Sequence, residues 1–140
     1  MGRYWDMNNG AEGKFGVGMQ SSDDAKIFGA EEDNYYLHMY SDNLSEVTEK
    51  LRELFKVIEE PFNEDLYKGS KDEVGERIVE LWQRVDKRFN LPNYAWSSNE
   101  TEEENERIGK YFMVMLRIRI GLNMANCIYE NGFCSMRCEQ

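Results

Sequence analysis

The chain has 140 residues, of which 27 are Asp or Glu and 17 are Lys or Arg, giving a formal net charge of −10. At this length it reads as a single domain over 1–140, and its 41% hydrophobic content supplies material for a core. The acidity excludes a protein that grips phosphate backbones over a wide surface or settles on an anionic membrane, because both affinities come from Lys and Arg.

Residues 1–41 are rich in glycine and aromatics and read as mainly β, whereas residues 42–140 read as mainly α. Asn8-Asn9-Gly10 is a turn signal, since Asn and Gly tolerate the positive φ of tight hairpins. It separates candidate strands at 2–7 and 13–20; in the second, Phe15, Val17 and Met19 alternate with Lys14, Gly16, Gly18 and Gln20. Ser22-Asp23-Asp24 offers a cap for a short helical turn through Phe28, with Gly29 placed to end it. Residues 34–40 form a third candidate strand, with Tyr35, Leu37 and Met39 on one face and Tyr36, His38 and Tyr40 on the other.

Three helices are expected after this, each opened by a capping residue with glutamate three places on: Asn43 with Glu46, Ser70 with Glu73, and Asn99 with Glu102. The first, about 44–60, places Leu44, Val47, Leu51, Leu54, Phe55 and Ile58 on one stripe before Pro61. The second, about 71–89, does the same with Val74, Ile78, Leu81, Trp82, Val85 and Phe89. The third, about 100–129, is apolar on more than one face between 111 and 120, the mark of a central helix contacted from several sides. Met113, Met115 and Met124 on it are candidates for a homodimer face or, alternatively, core filler. The fold expected is α+β: a small antiparallel N-terminal sheet of about three strands packed on three helices, the last one long and central.

Many acids meet a base at four-residue spacing, as in Glu46 with Lys50, Glu73 with Arg77, Glu80 with Arg84, Glu103 with Arg107 and Glu106 with Lys110. Seven of the ten net negative charges nevertheless fall in the first 62 residues. The clusters left unpaired by this reading are Asp23-Asp24, Glu31-Glu32-Asp33, Glu59-Glu60 and Glu64-Asp65, and Tyr4, Trp5, Phe28, Tyr35 and Tyr36 stand near them. Acids interleaved with exposed aromatics suit a basic cleft, with carboxylates where phosphates would lie and rings as anchors. The candidate partner-binding residues are therefore Asp23, Asp24, Glu31, Glu32, Asp33, Tyr35, Tyr36, Glu59, Glu60, Glu64 and Asp65. The alternative is that the aromatics are core and the acids keep the chain in solution.

No catalytic signature accompanies them. His38 is the sole histidine, so there is no H-E-x-x-H zinc site, and neither a G-x-S-x-G elbow nor a phosphate-binding glycine loop is present. No catalytic residue and no cofactor is expected. Clustered Asp23, Asp24, Glu31 and Asp33 leave a magnesium-dependent enzyme as one alternative. A small-molecule or signalling-nucleotide pocket lined by Tyr4, Trp5, Tyr35, Tyr36 and Trp96, with Arg3 and Lys14 nearby, is the other. Cys127, Cys134 and Cys138 lack paired C-x-x-C spacing. They make a Cys3His set only if His38 lies beside them; otherwise Cys127 belongs on a buried helix face and the other two are free thiols at a frayed end. No signal-like apolar stretch opens the chain and no run approaches the roughly 20 apolar residues of a membrane helix, so the cytosol is the expected location.

Residues 2–29, GRYWDMNNGAEGKFGVGMQSSDDAKIFG, resemble the opening of small bacteriophage and prophage proteins, with a G-R-Y start and a G-K-F strand leading to S-D-D and F-G. In general character the small, acidic chain also resembles phage inhibitors of bacterial defence, anti-CRISPR proteins among them. That resemblance implies stoichiometric binding in the host bacterial cytosol, with no cofactor. The function expected is a phage-encoded acidic binding protein that inhibits a bacterial nucleic-acid-binding defence protein, such as a CRISPR nuclease. It would do so by occluding the basic nucleic-acid channel, through mimicry or steric block, while itself binding neither nucleic acid nor membrane.

Overall fold

The computed structural model describes residues 4–15, 20–32, 38–89 and 102–139. Residues 16–19 and 33–37 of the expected strands, the Asn99 cap, and the Glu103–Arg107 and Glu106–Lys110 side-chain pairs lie outside the described residues. The elements in chain order are β1 (Tyr4–Met7), β2 (Glu12–Lys14), α1 (Asp23–Lys26), β3 (Glu31–Glu32), β4 (His38–Ser41), α2 (Leu44–Val57), α3 (Lys71–Phe89), α4 (Glu102–Asn131) and β5 (Cys134–Cys138). They form an α+β fold in which a five-stranded antiparallel sheet, order β2-β1-β5-β4-β3, accompanies a helical layer where α4 packs on α2 and α3.

The hairpin between β1 and β2 follows from its turn. Gly10 takes φ 89°, the Met7 amide donates to the Ala11 carbonyl at 2.8 Å, and the register then sets Trp5 opposite Gly13. A Cβ on Gly13 would stand 2.4 Å from the Trp5 ring, so the indole lies across the one residue that leaves room for it. Trp5 is core rather than surface.

The expectation of about three N-terminal strands is corrected to five, and the fifth comes from the far end of the chain. α4 ends at Gly132, φ 83°, and residues 134–138 return as the middle strand between β1 and β4. Cys134, Met136 and Cys138 point into the core, whereas Ser135 and Arg137 alternate outward. The Asn8 side chain fastens this strand: its Oδ1 accepts from the Ser135 amide and from the Cys127 thiol, both at 2.8 Å. Cys127 is buried on α4 as expected, but Cys134 and Cys138 are buried in the sheet and do not belong to a frayed end.

One capping box forms in full, at Ser70, and Asn43 makes the cap without the return bond from Glu46. The Asn43 Oδ1 accepts from the Glu46 amide at 3.1 Å, and Ser70 and Glu73 satisfy each other's amides at 3.2 and 3.4 Å. At α1 the expected Ser22 cap does not form; the Ser21 hydroxyl accepts from the Asp23 amide instead. α2 stops at Val57, earlier than Pro61 alone requires, because Glu59 turns left-handed at φ 56° and the Glu60 amide reaches back to the Phe55 carbonyl at 3.0 Å. α3 spans the expected range.

α4 is enclosed because its apolar residues face several neighbours. Met115, Ile118, Leu122 and Met124 are buried, so Met115 and Met124 fill the core and do not form a homodimer face. Gly121 lets Phe28 and Leu51 approach the helix backbone: a Cβ there would stand 2.4 Å from the Phe28 ring and 2.8 Å from Leu51 Cδ2. Among the described residues no helix is long and apolar enough to cross a membrane.

Gly121→Ala tests this contact. Alanine favours a helix, but the crowding against Phe28 and Leu51 is expected to dominate and lower stability by about 2 kcal/mol in a urea unfolding curve.

Candidate functional site

The acidic clusters picked out in the sequence are largely answered within the chain. Asp24 is buried; its Oδ1 accepts from Arg117 Nε at 2.9 Å and its Oδ2 from the Ser21 amide at 3.1 Å. Lys26 lies between Asp23 and Glu32 at 3.2 and 3.0 Å, and these two carboxylates, Glu32 foremost, hold its ammonium charge to higher pH. Glu60 pairs with Arg84 at 3.7 Å, while Arg84 also donates to the Pro61 carbonyl. Glu64 pairs with Arg52 at 2.9 Å, and Asp65 with Lys68 at 2.8 Å, which holds the Asp65 carboxyl below its usual range. The expectation of unpaired charge is therefore corrected for Asp23, Asp24, Glu32, Glu60, Glu64 and Asp65. Glu59 occupies the left-handed turn after α2, and Asp33, Tyr35 and Tyr36 lie outside the described residues.

Glu31 has a different setting. Strand alternation sends Trp5, Met7, Met39, Met136 and the β5 cysteines to the core face of the sheet, and Tyr4, Asp6, His38, Tyr40, Ser135 and Arg137 to the other. The register places Glu31 opposite Tyr40, Glu12 opposite Asp6, and Lys14 opposite Tyr4 on that second face. Tyr4, Tyr40 and Phe133 are 52%, 41% and 38% exposed, too open to be core. Phe133 stacks on Tyr40 with ring centroids 5.9 Å apart. Glu139 continues the β1–β5 pairing, its amide donating to the Tyr4 carbonyl at 2.9 Å. Between the two aromatic ends, Arg137 donates to Asp6 at 2.7 Å and faces His38 on the neighbouring strand.

This face thus carries three exposed rings with Asp6, Glu12, Glu31 and Glu139 around them, against the cations Lys14 and Arg137, of which Arg137 is already neutralised by Asp6. Sequence reasoning found Glu31 but missed Tyr40, Phe133 and Glu139. Tyr40 and Phe133 meet only through the β4–β5 pairing, and the missed strand carried the signal, the alternation of Cys134, Met136 and Cys138.

The other chemistry is separated by the fold. His38 faces outward and the three cysteines inward, so they do not converge as a Cys3His set. Among the described residues no three His, Cys, Asp or Glu side chains gather to hold a metal ion, and the group Asp23, Asp24 and Glu31 is split by the burial of Asp24 against Arg117. Of the expected aromatic pocket, Tyr4 and Trp5 lie on opposite faces of β1, and Tyr35, Tyr36, Trp96 and the nearby Arg3 lie outside the described residues. The two β5 cysteines hold their protons: burial pushes the Cys138 thiol up to about 12. Cys134 donates a hydrogen bond to Cys127, which raises the Cys134 thiol and favours the Cys127 thiolate.

Two outcomes follow. Arg117→Met leaves the Asp24 carboxylate buried without its cation and is expected to lower stability by about 1–3 kcal/mol, part of which returns when Asp24→Asn is added; urea curves of the two single variants and the double variant measure the coupling. The folded chain holds the Cys138 proton more tightly than the unfolded one, so the stability that Cys138 contributes is expected to be unchanged below about pH 9 and to fall as pH rises toward 12. Reduced protein scanned across that window should lose less in Cys138→Ala than in the unaltered chain.

No protein-family model, curated protein or solved structure matches the chain, so the geometry of the open sheet face is what carries the functional reading.

Proposed function

We propose that the chain is a stoichiometric binding protein, not an enzyme, which seats a basic, nucleic-acid-binding surface of a partner on the open face of its sheet and so blocks the partner's nucleic-acid channel. One observation carries this reading: Tyr4, Tyr40 and Phe133 are exposed on a sheet face whose other side is core, and the carboxylates Asp6, Glu12, Glu31 and Glu139 surround them. Rings of this kind supply the desolvated anchors of an interface, and carboxylates around them favour Lys and Arg on the other side.

An antiparallel sheet with exposed aromatics is also a form that stacks single-stranded bases, but such platforms need cations for the phosphates. Here the acids outnumber the bases, and Arg137 is engaged by Asp6. A basic protein therefore fits better than nucleic acid. Asp23 and Glu32, on either side of Lys26, extend the acidic rim at the β3 edge. The resemblance of residues 2–29 to small bacteriophage and prophage proteins points to a host partner, such as a CRISPR nuclease or another nucleic-acid-binding defence protein, and to the bacterial cytosol.

The test captures heparin-binding bacterial proteins on the immobilised chain at low and high salt, then measures DNA binding by whatever is held. The expected result is salt-labile capture and one-for-one displacement of DNA. Tyr40→Ala, Phe133→Ala and Glu31→Lys should each weaken capture by about tenfold. Affinity indifferent to salt and to all three changes, or a captured partner that still binds DNA normally, would sink the proposal.

A further inference from the structure

The chain shows within itself what it places on a ring beside a carboxylate. Arg52 lies over Phe62, its Cζ 5.8 Å from the ring centroid, while its Nε and Nη2 donate to the Glu64 carboxylate at 3.2 and 2.9 Å. Phe55 meets the Phe62 ring edge-on, centroids 5.3 Å apart, so the set is two touching rings, one carboxylate and one arginine. A second arginine, Arg119, lies over Trp82 at 5.9 Å. Arginine suits such a place because its planar, weakly hydrated guanidinium stacks on a ring and still presents N–H donors at its edge to an acid. A lysine ammonium brings the charge without the plane.

On the open face of the sheet the same set recurs without its arginine. Tyr40 is opposite Ser135, so Phe133 sits diagonally across the β4–β5 pair, and the two rings stack at an interplanar angle of 22°. Glu31 stands directly opposite Tyr40 on the other side, on β3. Among the described residues the Glu31 side chain has no ion pair or hydrogen bond, whereas its neighbour Glu32 is held by Lys26. The described cations of this face are committed or distant: Arg137 is taken by Asp6, and Lys14 is on β2, at the opposite edge of the sheet from β3. Two exposed rings alone would accept any apolar side chain. The unpaired carboxylate beside them selects a cation, because covering Glu31 with an apolar group would strip it of water without a counter-charge.

We propose that Tyr40, Phe133 and Glu31 form an arginine seat, in which an arginine of the basic partner lays its guanidinium on the two rings and turns its N–H edge to the Glu31 carboxylate. Resting on the sheet-face reading, this seat narrows the partner's contribution from a basic surface to one side chain, chosen over lysine.

The experiment follows the full chain by NMR during titration with three capped peptides, Gly-Arg-Gly-Arg-Gly, its lysine counterpart and its citrulline counterpart, which keeps the plane and loses the charge. The arginine peptide is expected to shift the Glu31, Tyr40 and Phe133 amides and to bind about tenfold more tightly than either of the others. Its δ-protons should move upfield as they enter the ring currents, a signature that charge attraction alone does not produce. Glu31→Gln should weaken the arginine peptide by about tenfold. Tyr40→Leu combined with Phe133→Leu should bring the affinities for arginine and lysine together and remove the upfield shift. Glu31 is exposed, so Glu31→Gln keeps the question decidable if the double leucine variant fails to fold. Equal affinity for the arginine and lysine peptides, arginine binding without the upfield shift or indifferent to Glu31→Gln, or a preference that survives the leucine changes would overturn the arginine seat and leave the basic-surface reading standing. No shift on this face with either charged peptide would overturn both.

Discussion

The sheet depends on one insertion: β5, last in the chain, is the strand in the middle. Its backbone pairs with β1 on one edge and β4 on the other, and this joins two small ribbons, β1–β2 and β3–β4, into one surface. Isolated two-stranded ribbons are marginal in water, so neither ribbon is a stable unit by itself. The same strand fixes the helical layer, because Gly132 and Phe133 are all that separate it from α4. Asn8 ties the first turn of the chain to this junction by accepting from Ser135 and Cys127.

Once β5 is in place, the alternation of its side chains assigns the two faces of the sheet to different work. The core face takes cysteines and methionines; the open face takes Arg137, neutralised by Asp6, and is left with rings and carboxylates. The net charge of −10 is thereby redistributed. Acids in the α1 region and in the connection from α2 to α3 are used to hold segments together, with Asp24 on Arg117, Glu60 on Arg84 and Glu64 on Arg52. Carboxylates available to an outside partner lie on the sheet face and along α3.

The parts of this architecture legible in the sequence are those set by local chemistry. Asn8-Asn9-Gly10 specified a hairpin, the Asn43 cap and the Ser70 box specified helix starts, and the all-round apolarity of residues 111–120 specified an enclosed helix. β5 was legible in principle, since Cys134, Met136 and Cys138 have the period of a half-buried strand, but a five-residue run after a long helix is weak evidence against fraying. β3, Glu31–Glu32, has no strand propensity and exists only because β4 offers it an edge. The candidate site was less legible because each of its decisive facts joins distant residues. Asp24 meets Arg117 across 93 positions, and a count of charges by segment cannot show that pairing. Tyr40 and Phe133 are equally far apart and meet only across a strand pair.

The position of β5 also sets an order of assembly during synthesis. Residues 134–138 leave the ribosome after every other described element, so until then β1 and β4 each present an unpaired edge to solvent or to another nascent chain. The helices have no such dependence, and α2 and α3 are complete before α4 emerges to pack on both. Helical packing is thus the scaffold available early, and closure of the sheet is the late event that removes the sticky edges. The binding face proposed above comes into being only at that moment, because its Phe133 and Arg137 are carried by the closing segment itself.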